Sequence, residues 1–519
     1  MNSELLNQNV QNLDPSMFEF VQKEKVITDT KMSTKRIGYF KDALIRFTHN
    51  KASVVAFAII LLLFLFAIVV PFTSSTNYTK SRNDLNAKYY AQLLPKMFET
   101  GTGFMDGTRV DEIKIDKYYQ YMAIGEETGR NPVVEIKDEF QFQGVTYYKA
   151  SIDYYARLGV QTMTLTKEDY YAMQRYQDEN NVQLIYPATD EKKVVAQMLQ
   201  SNKNSVNNIW YEHNAKGMPV LTNGKLVDIY LKGSNGATKD DEYFSTMRIA
   251  ADDGTYKYAI LGGTDEAPQY IVRVSLYEYF VYKYGIEPQF AFGTDKSGLD
   301  ILTRLASGAR LSFILAFFVA TINLIIGAIW GSISGYFGGT TDLVMERITD
   351  ILGNVPFMVV TTLFQLHLAS KVGPFVSLLF AFVTTGWIGT ASTVRMQFYR
   401  YKHQEYILAA RTLGAKNSRL MYKHIFPNAL GTIITSSVLV IPGVIFSESS
   451  LTYLGIVNLE SDSITSVGTM LANGRDKLQD FPHIILFPAL FISLLMITFN
   501  LFGNGLRDAF NPSLRGSED

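Results

Sequence analysis

No cysteine occurs among the 519 residues. That absence excludes disulfides, thiolate nucleophiles and cysteine-ligated metal sites. Net charge is almost absent as well, at -1, so no overall field points to nucleic acid. The six histidines (His49, His213, His367, His403, His424 and His483) are scattered, and neither HExxH nor GxSxG occurs. The phosphate-cradling GxxxxGK[ST] pattern is missing too. Its nearest approach, FGTDKSG at 292–298, has no glycine before Lys296 and cannot wrap a phosphate in the usual way. The chain therefore carries no nucleotide-hydrolysing site of its own that sequence can reveal.

What is present is apolar length. A spanning helix needs ~20 apolar residues to cross a ~30 Å hydrocarbon core. Val54 to Pro71 is uncharged and starts too far into the chain for a signal peptide, so it reads as a permanent anchor. Five further spans are expected at Leu311 to Gly335, Ile351 to Ala369, Val372 to Val394, Asn428 to Phe446 and His483 to Phe502. The first of these five carries Gly327, Gly331 and Gly335 at four-residue spacing. That places small residues on one helix face, where a second helix can approach closely, and packing is the ordinary use of such a stripe. Ahead of the anchor, RIGYFKDALIRF (36–47) sets Ile37, Phe40, Leu44 and Phe47 at helical spacing against Lys41 and Arg46, the pattern of a helix lying on a membrane surface.

Orientation follows from lysine and arginine in short flanks. They crowd before the anchor and again between the fourth and fifth spans, from Arg395 to Lys423, where Glu405 is the lone acid. A six-span arrangement puts both flanks on one side, expected to be cytoplasmic. The long stretch 73–310 then lies outside. It holds 24 of the 31 tyrosines, and its charge is mildly negative, 27 basic against 31 acidic residues. Its periodicities are mixed and predict an α+β fold. VVEIKDEFQFQGVTYYKASI (133–152) predicts a hairpin turning near Gly144, and STMRIAADDGTYKYAILGG (245–263) another around Asp253-Gly254. LTKEDYYAMQRYQDEN (165–180) predicts a helix capped by Thr166. A faint echo links Asp116-Lys117-Tyr118-Tyr119 before a strand at Val133 to Glu168-Asp169-Tyr170-Tyr171 before one at Val182.

Charges inside the spans are rare, which argues against an ion-driven carrier with a mid-membrane relay. Glu448 is placed just past the fifth span, as a helix-end hydrogen-bonding group. A transporter of this composition needs another chain to supply energy. The alternative that the large outer stretch suggests is a receptor with an extracellular ligand-binding domain.

One stretch fits energy arriving from elsewhere. EYILAARTLGAKNSRLMYKHIFP (405–427) predicts a short helix at 405–413, with Tyr406, Ala409, Ala410 and Leu413 on one shallow face. Gly414 can end it at positive φ. A second, basic helix is expected from about Asn417 to Ile425, and Pro427 then begins the next span. This piece resembles the EAA coupling loop of ATP-binding-cassette importer permeases, with Ala409-Ala410, Gly414 and Phe426-Pro427 at that family's offsets and Leu408 where the motif usually starts with Glu. FGTDKSGLDILTRLASGARLS (292–312), GYFGG (335–339), ESSLTYLG (448–455), GTMLANGR (468–475) and FNLFGNGLRDAFNPSLR (499–515) narrow the resemblance to the C-type permease subunit of oligopeptide/dipeptide importers.

The resemblance implies an α-helical polytopic membrane protein with six transmembrane helices, the type I ABC importer permease fold, here with an inserted extracellular α+β domain. It implies a cytoplasmic segment 1–51, a first span at 52–72, the insertion at 73–290, and a connection at 291–310. The other five spans follow at 311–505 with the coupling loop at 396–427, then a cytoplasmic tail at 506–519. The family's partners are a homologous B-type permease, two cytoplasmic ATPase subunits that hold ATP and Mg, and an extracellular peptide-binding lipoprotein delivering peptides. The surrounding partners are membrane lipids, with no nucleic acid. In such a protein Glu405, Tyr406, Ala409, Ala410, Arg411, Leu413, Gly414 and Pro427 would meet the ATPase, and the chain itself holds no cofactor, metal or catalytic residue. Two positions depart from the family's text: Leu299 stands for Arg and Val467 for Trp. Both fall on the expected outer side, so contacts to a binding protein are expected to differ there.

Overall fold

The computed structural model describes residues 39–73, 87–186, 198–200, 210–212, 221–226, 260–264, 266–460 and 465–510. The first elements are α1 (Tyr39–His49) and α2 (Lys51–Thr73). Two short pairs, β6 (Met198–Gln200) with β7 (Trp210–Glu212) and β8 (Leu221–Thr222) with β9 (Lys225–Leu226), accompany the outer domain. Its main body has two antiparallel sheets. In one, β1 (Thr108–Lys114), β3 (Val145–Asp153) and β2 (Val133–Phe142) lie in the order β1-β3-β2. In the other, β10 (Ile260–Thr264), β11 (Ala267–Ser275) and β4 (Val160–Thr166) lie side by side, and β5 (Ile185–Tyr186) also pairs with β11. The β2–β3 hairpin turns through Gln143 and Gly144, both at positive φ. The strand beginning at Ile260 pairs with β11, and the turn expected at Asp253-Gly254 lies outside the described residues.

The echo in the sequence proves to be a strand running directly into a helix, and there are three copies. They are β1 with α3 (Ile115–Thr128), β4 with α4 (Lys167–Asn180), and β11 with α5 (Leu276–Tyr284). Thr166 and Ser275 each cap the backbone N–H three residues on, at Asp169 and Glu278. All three helices end on a left-handed residue: Gly129, Asn181 and Gly285. The expected strand at Val182 is only the two residues of β5.

The membrane region follows: α6 (Ile301–Phe337), α7 (Gly339–Gly353), α8 (Phe357–Val372), α9 (Pro374–Tyr401), α10 (Glu405–Thr412), α11 (Asn417–Tyr453), α12 (Val467–Gly474) and α13 (His483–Phe510). Helices α2, α6, α9, α11 and α13 are each long and apolar enough to cross a membrane. The expected span Ile351 to Ala369 is not one rod. It is interrupted at Asn354–Pro356, and α7 and α8 meet there at 72°. Pro356 lacks the N–H that would continue the helix and disfavours helical backbone at Val355 before it. Packing shows that this bent pair crosses. Along α6, Gly327 faces Thr390 and Ala391, Gly331 faces Ala391 and Val394, and Gly335 faces Arg395 and Phe398 of α9. The numbers rise together, so α6 and α9 run parallel, and the chain between their ends must return across the layer through α7 and α8. Six crossings result.

The remaining directions agree. Phe57 stacks on Phe502 while Phe66 meets Phe491, so α2 and α13 are antiparallel. Tyr336 bonds to Asn417 at one end of α6 and Ser312 to Glu448 near the other, so α11 runs against α6. One face then carries α1, the end of α6, α10 and the end of α13. The opposite face carries the sheets and α12.

Five of the expected spans stop short of their helices, because apolar run length reports membrane depth and helices continue beyond it. The rod α11 reaches Tyr453, so Glu448 lies inside it and is fully buried, not past its end. Glu448 accepts a hydrogen bond from Ser312 Oγ at 2.9 Å, which joins α6 to α11, and one from Thr452 Oγ1 on its own helix at 3.2 Å. Leu299 and Val467 are likewise buried, at 3% and 0% exposure, in the core shared by the outer domain and the helices. They cannot form a surface for a binding protein; they belong to the seam beneath the inserted domain.

Candidate functional site

The knob at residues 405–427 is built on a small apolar core. Ile407, Leu420, Ile425 and Ala429 pack with Tyr336, Val394 and Phe398, from the ends of α6 and α9. Ile407 is completely buried and Ala410 is half-buried beside the same core. The face expected to point outward is thus divided. Tyr406, Ala409 and Leu413 are exposed with Glu405 and Leu408, whereas Ala410 points inward. Leu413 is 88% exposed and Tyr422 70%, so apolar surface stands at the tip in water, held by a buried root.

Gly414 has φ of +83°. Its N–H donates to Arg411 O at 3.0 Å and the Ala415 N–H to Ala410 O at 3.1 Å, the paired bonds of a Schellman end. A β-carbon added there would meet no atom within 4 Å. Backbone conformation, not space, demands the glycine.

Two hydroxyls brace the knob. Tyr336 donates to Asn417 Oδ1 at 2.7 Å and accepts from Arg411 at 3.5 Å, so the end of α6 holds both short helices. Asn428 donates to the Tyr406 hydroxyl at 3.3 Å and to His424 O at 2.7 Å, tying α10 to α11. Burial of the ring pushes the Tyr406 phenol up, Tyr401 adds to the effect, and the bond from Asn428 opposes it. The group stays a neutral hydroxyl at physiological pH.

The second short helix differs from expectation. Asn417–Arg419 runs into a π-helical stretch, Leu420–Ile425, and then onward into the span without a break. Pro427 therefore lies near the start of the regular part of a continuous rod. It has no N–H to close onto Lys423, and the widened turn before it absorbs that mismatch.

Behind the knob lies a charged lock. Asp342 of α7 accepts two hydrogen bonds from Arg395 of α9, both at 2.6 Å, one from Tyr399 at 2.6 Å and one from Ser334 of α6. Lys402 donates to Gly335 O at 2.9 Å. This bidentate pairing joins three helices where the glycine stripe brings α6 and α9 together. In that stripe a β-carbon on Gly331 would lie 2.2 Å from Ala391 O, and one on Gly335 2.7 Å from Arg395 O.

Sequence reading named the tip and missed its root. Ile407, Leu420 and Ile425 could have been found from their spacing against the exposed residues. Tyr336, Asp342 and Arg395 could not, since their partners lie tens of residues away.

Comparison with known proteins shows the family of the chain. Residues 324–516 match the model of the binding-protein-dependent transport system inner membrane component, and residues 38–95 the N-terminal TM domain of oligopeptide transport permease C. The oligopeptide transport system permease protein OppC of Bacillus subtilis is 46% identical over 224 residues, 43% of this chain and 72% of that protein. The chain belongs to the OppC/DppC permease family. It is also 39% identical over 232 residues to the dipeptide transport system permease protein DppC of Lactococcus lactis, covering 44% of this chain and 65% of that one. The inward-facing MetNI methionine ABC transporter aligns with 40% of the chain at 14% identity and a TM-score of 0.32, a likeness that carries no argument. Neither family model reaches residues 96–323, where the sheets lie.

The sheets thus lie between the two matched segments, and their join to the helices is firm. Leu93 and Thr294 exchange backbone and side-chain bonds: Thr294 N donates to Leu93 O at 3.0 Å and Leu93 N to Thr294 Oγ1 at 2.8 Å. Lys96 N donates to Phe290 O at 2.8 Å, and Tyr90 donates to Leu276 O at 2.8 Å. Arg109 of β1 reaches Asp480 O and lies over the rings of Tyr154 and Phe481. Phe292 stacks on Phe487 of α13, with ring centroids 4.0 Å apart. Beneath them, Arg304 bridges Asp295 at 3.0 Å and Glu460 at 2.9 Å; Arg304 and Asp295 are buried and Glu460 is half-buried.

Proposed function

We propose that this chain forms one membrane-spanning half of an ATP-driven importer of oligopeptides or dipeptides, beside a homologous B-type permease. Two cytoplasmic ATPase subunits would bind ATP and Mg, and the knob would sit in a groove of one of them. The observation that carries this reading is a rigidly rooted knob whose exposed tip, Leu413 and Tyr422, is apolar. Such a tip transmits rigid-body motion because Ile407, Leu420 and Ile425 fix its other end in the helix core. The face bearing the knob is cytoplasmic in this reading, since Arg400, Lys402, Arg411, Lys416, Arg419 and Lys423 gather there.

Replacing Leu413 with Asp leaves the core untouched, so the chain should remain folded while the knob loses its apolar tip. ATPase co-purification and peptide uptake should both fall sharply. Retention of both at parental levels would overturn the coupling role.

The outer domain is proposed to orient the peptide-binding lipoprotein over the pathway. Its support is the stiff join to the outer ends of α6 and α13. A deletion that tests this must keep residues 87–96, because they pair with 290–295. Removing 98–288 through a short linker should weaken lipoprotein binding; unchanged affinity would remove the docking role.

A further inference from the structure

A groove of about 550 Å³ opens between α2, α6 and the rods behind them. Its walls include Phe57, Phe64, Phe313, Phe317 and Phe318, and the one charged residue lining it is Arg310. It follows α6 from Arg310 to Phe318, which is roughly 12 Å at 1.5 Å per residue. Arg310 stands where the uncharged run of α6 begins, and its guanidinium lies over the ring of Phe72, in the last turn of α2. That is the level where hydrocarbon gives way to headgroups, on the face bearing the inserted domain. Among the described residues no carboxylate lies within 4.0 Å of Arg310, in contrast to Arg304 and Arg395 on the neighbouring turns and helices.

We infer that this groove is a binding site for one anionic phospholipid, its acyl chain against the phenylalanines and its phosphate on Arg310. A protein helix is the other conceivable occupant, and the lining argues against it. Helices approach closely in a membrane over small residues. On α6 those residues are Gly327, Gly331 and Gly335, and they already face α9. The groove side instead offers the bulky rings of Phe57, Phe64, Phe313, Phe317 and Phe318. A half-buried cation at headgroup depth, with no acid beside it among the described residues, supplies the complementary charge for a phosphate.

The test uses the full-length chain with a Phe317→Trp reporter, reconstituted in phosphatidylcholine vesicles. Quenching by dibrominated phosphatidylglycerol is compared with quenching by dibrominated phosphatidylcholine, after subtracting the signal of the parent chain with its three native tryptophans. One favourable surface charge is worth about 1 kcal/mol, so half-quenching should need about fivefold less of the anionic lipid. Arg310→Gln should erase that preference and Arg310→Lys should keep most of it. Equal quenching by the two lipids in the Arg310 chain would reduce the groove to ordinary annular surface. No quenching by either would mean that protein covers it. Both results overturn the proposal and neither depends on the Arg310 variants folding.

Discussion

The two ends of α6 are both fixed, but by different means. The inner end meets α9 through glycines, is locked to α7 by Asp342 and Arg395, and carries the knob through Tyr336. What it presents beyond that is a small exposed tip. The outer end starts with Arg304 between two carboxylates and is covered by backbone bonds from the inserted domain. The inner end thus pairs an exposed tip with a buried root, the arrangement that the proposed coupling role requires. The outer end is built so that a domain absent from the family model becomes continuous with the helices. Changes at the inner tip should alter coupling and spare stability; changes at the outer seam should do the reverse.

The largest expected effect is at the outer seam. Arg304→Met leaves the buried Asp295 and the half-buried Glu460 with their shared cation gone, at a cost of about 3–5 kcal/mol. Thermal unfolding of the purified chain in detergent should show a large drop in midpoint. A wild-type midpoint would mean that the outer lock contributes nothing and would dissolve the contrast. Gly331→Ala comes next. Its new carbon would sit 2.2 Å from Ala391 O, so α6 and α9 must separate, costing about 1–3 kcal/mol. The same melt measures it, and an unchanged midpoint would show that the glycine stripe has slack. The smallest is Gly414→Ala, where open space leaves only left-handed strain of about 1 kcal/mol. Here the melt should barely move. A drop as large as that of Arg304→Met would show that the knob is part of the structural core, and the comparison would fail.

Legibility in the sequence followed the range of the interactions. The hairpin at Gly144, the cap at Thr166 and the glycine end at Gly414 each depend on residues two to five apart, and each is written in the sequence. So is the glycine stripe, although not the helix it faces. The third strand–helix copy at Ser275 was legible from Ser275-x-x-Glu278, a capping pattern that the tyrosine echo overshadowed. Glu448 was misplaced because a carboxylate after an apolar run looks like an exit from the membrane; Ser312, far along the chain, is what makes its burial tolerable. Leu299 and Val467 were assigned to a surface because nothing local reveals that a domain lies above them.

The sequence by itself determined that the chain is a membrane protein, where its apolar rods lie, that it has no phosphate loop, and that 405–427 is a short helix, a glycine stop and a basic continuation. Those properties come from composition and near-neighbour geometry. Only the tertiary structure decided that the bent pair α7–α8 crosses, because that follows from the parallel packing of α6 and α9. It alone decided which face of the knob is root and which is tip, and that Arg304 and Arg395 are paired while Arg310 has no acid beside it among the described residues. Each of these turns on contacts between residues far apart in the chain, whose meeting is set by how whole helices pack.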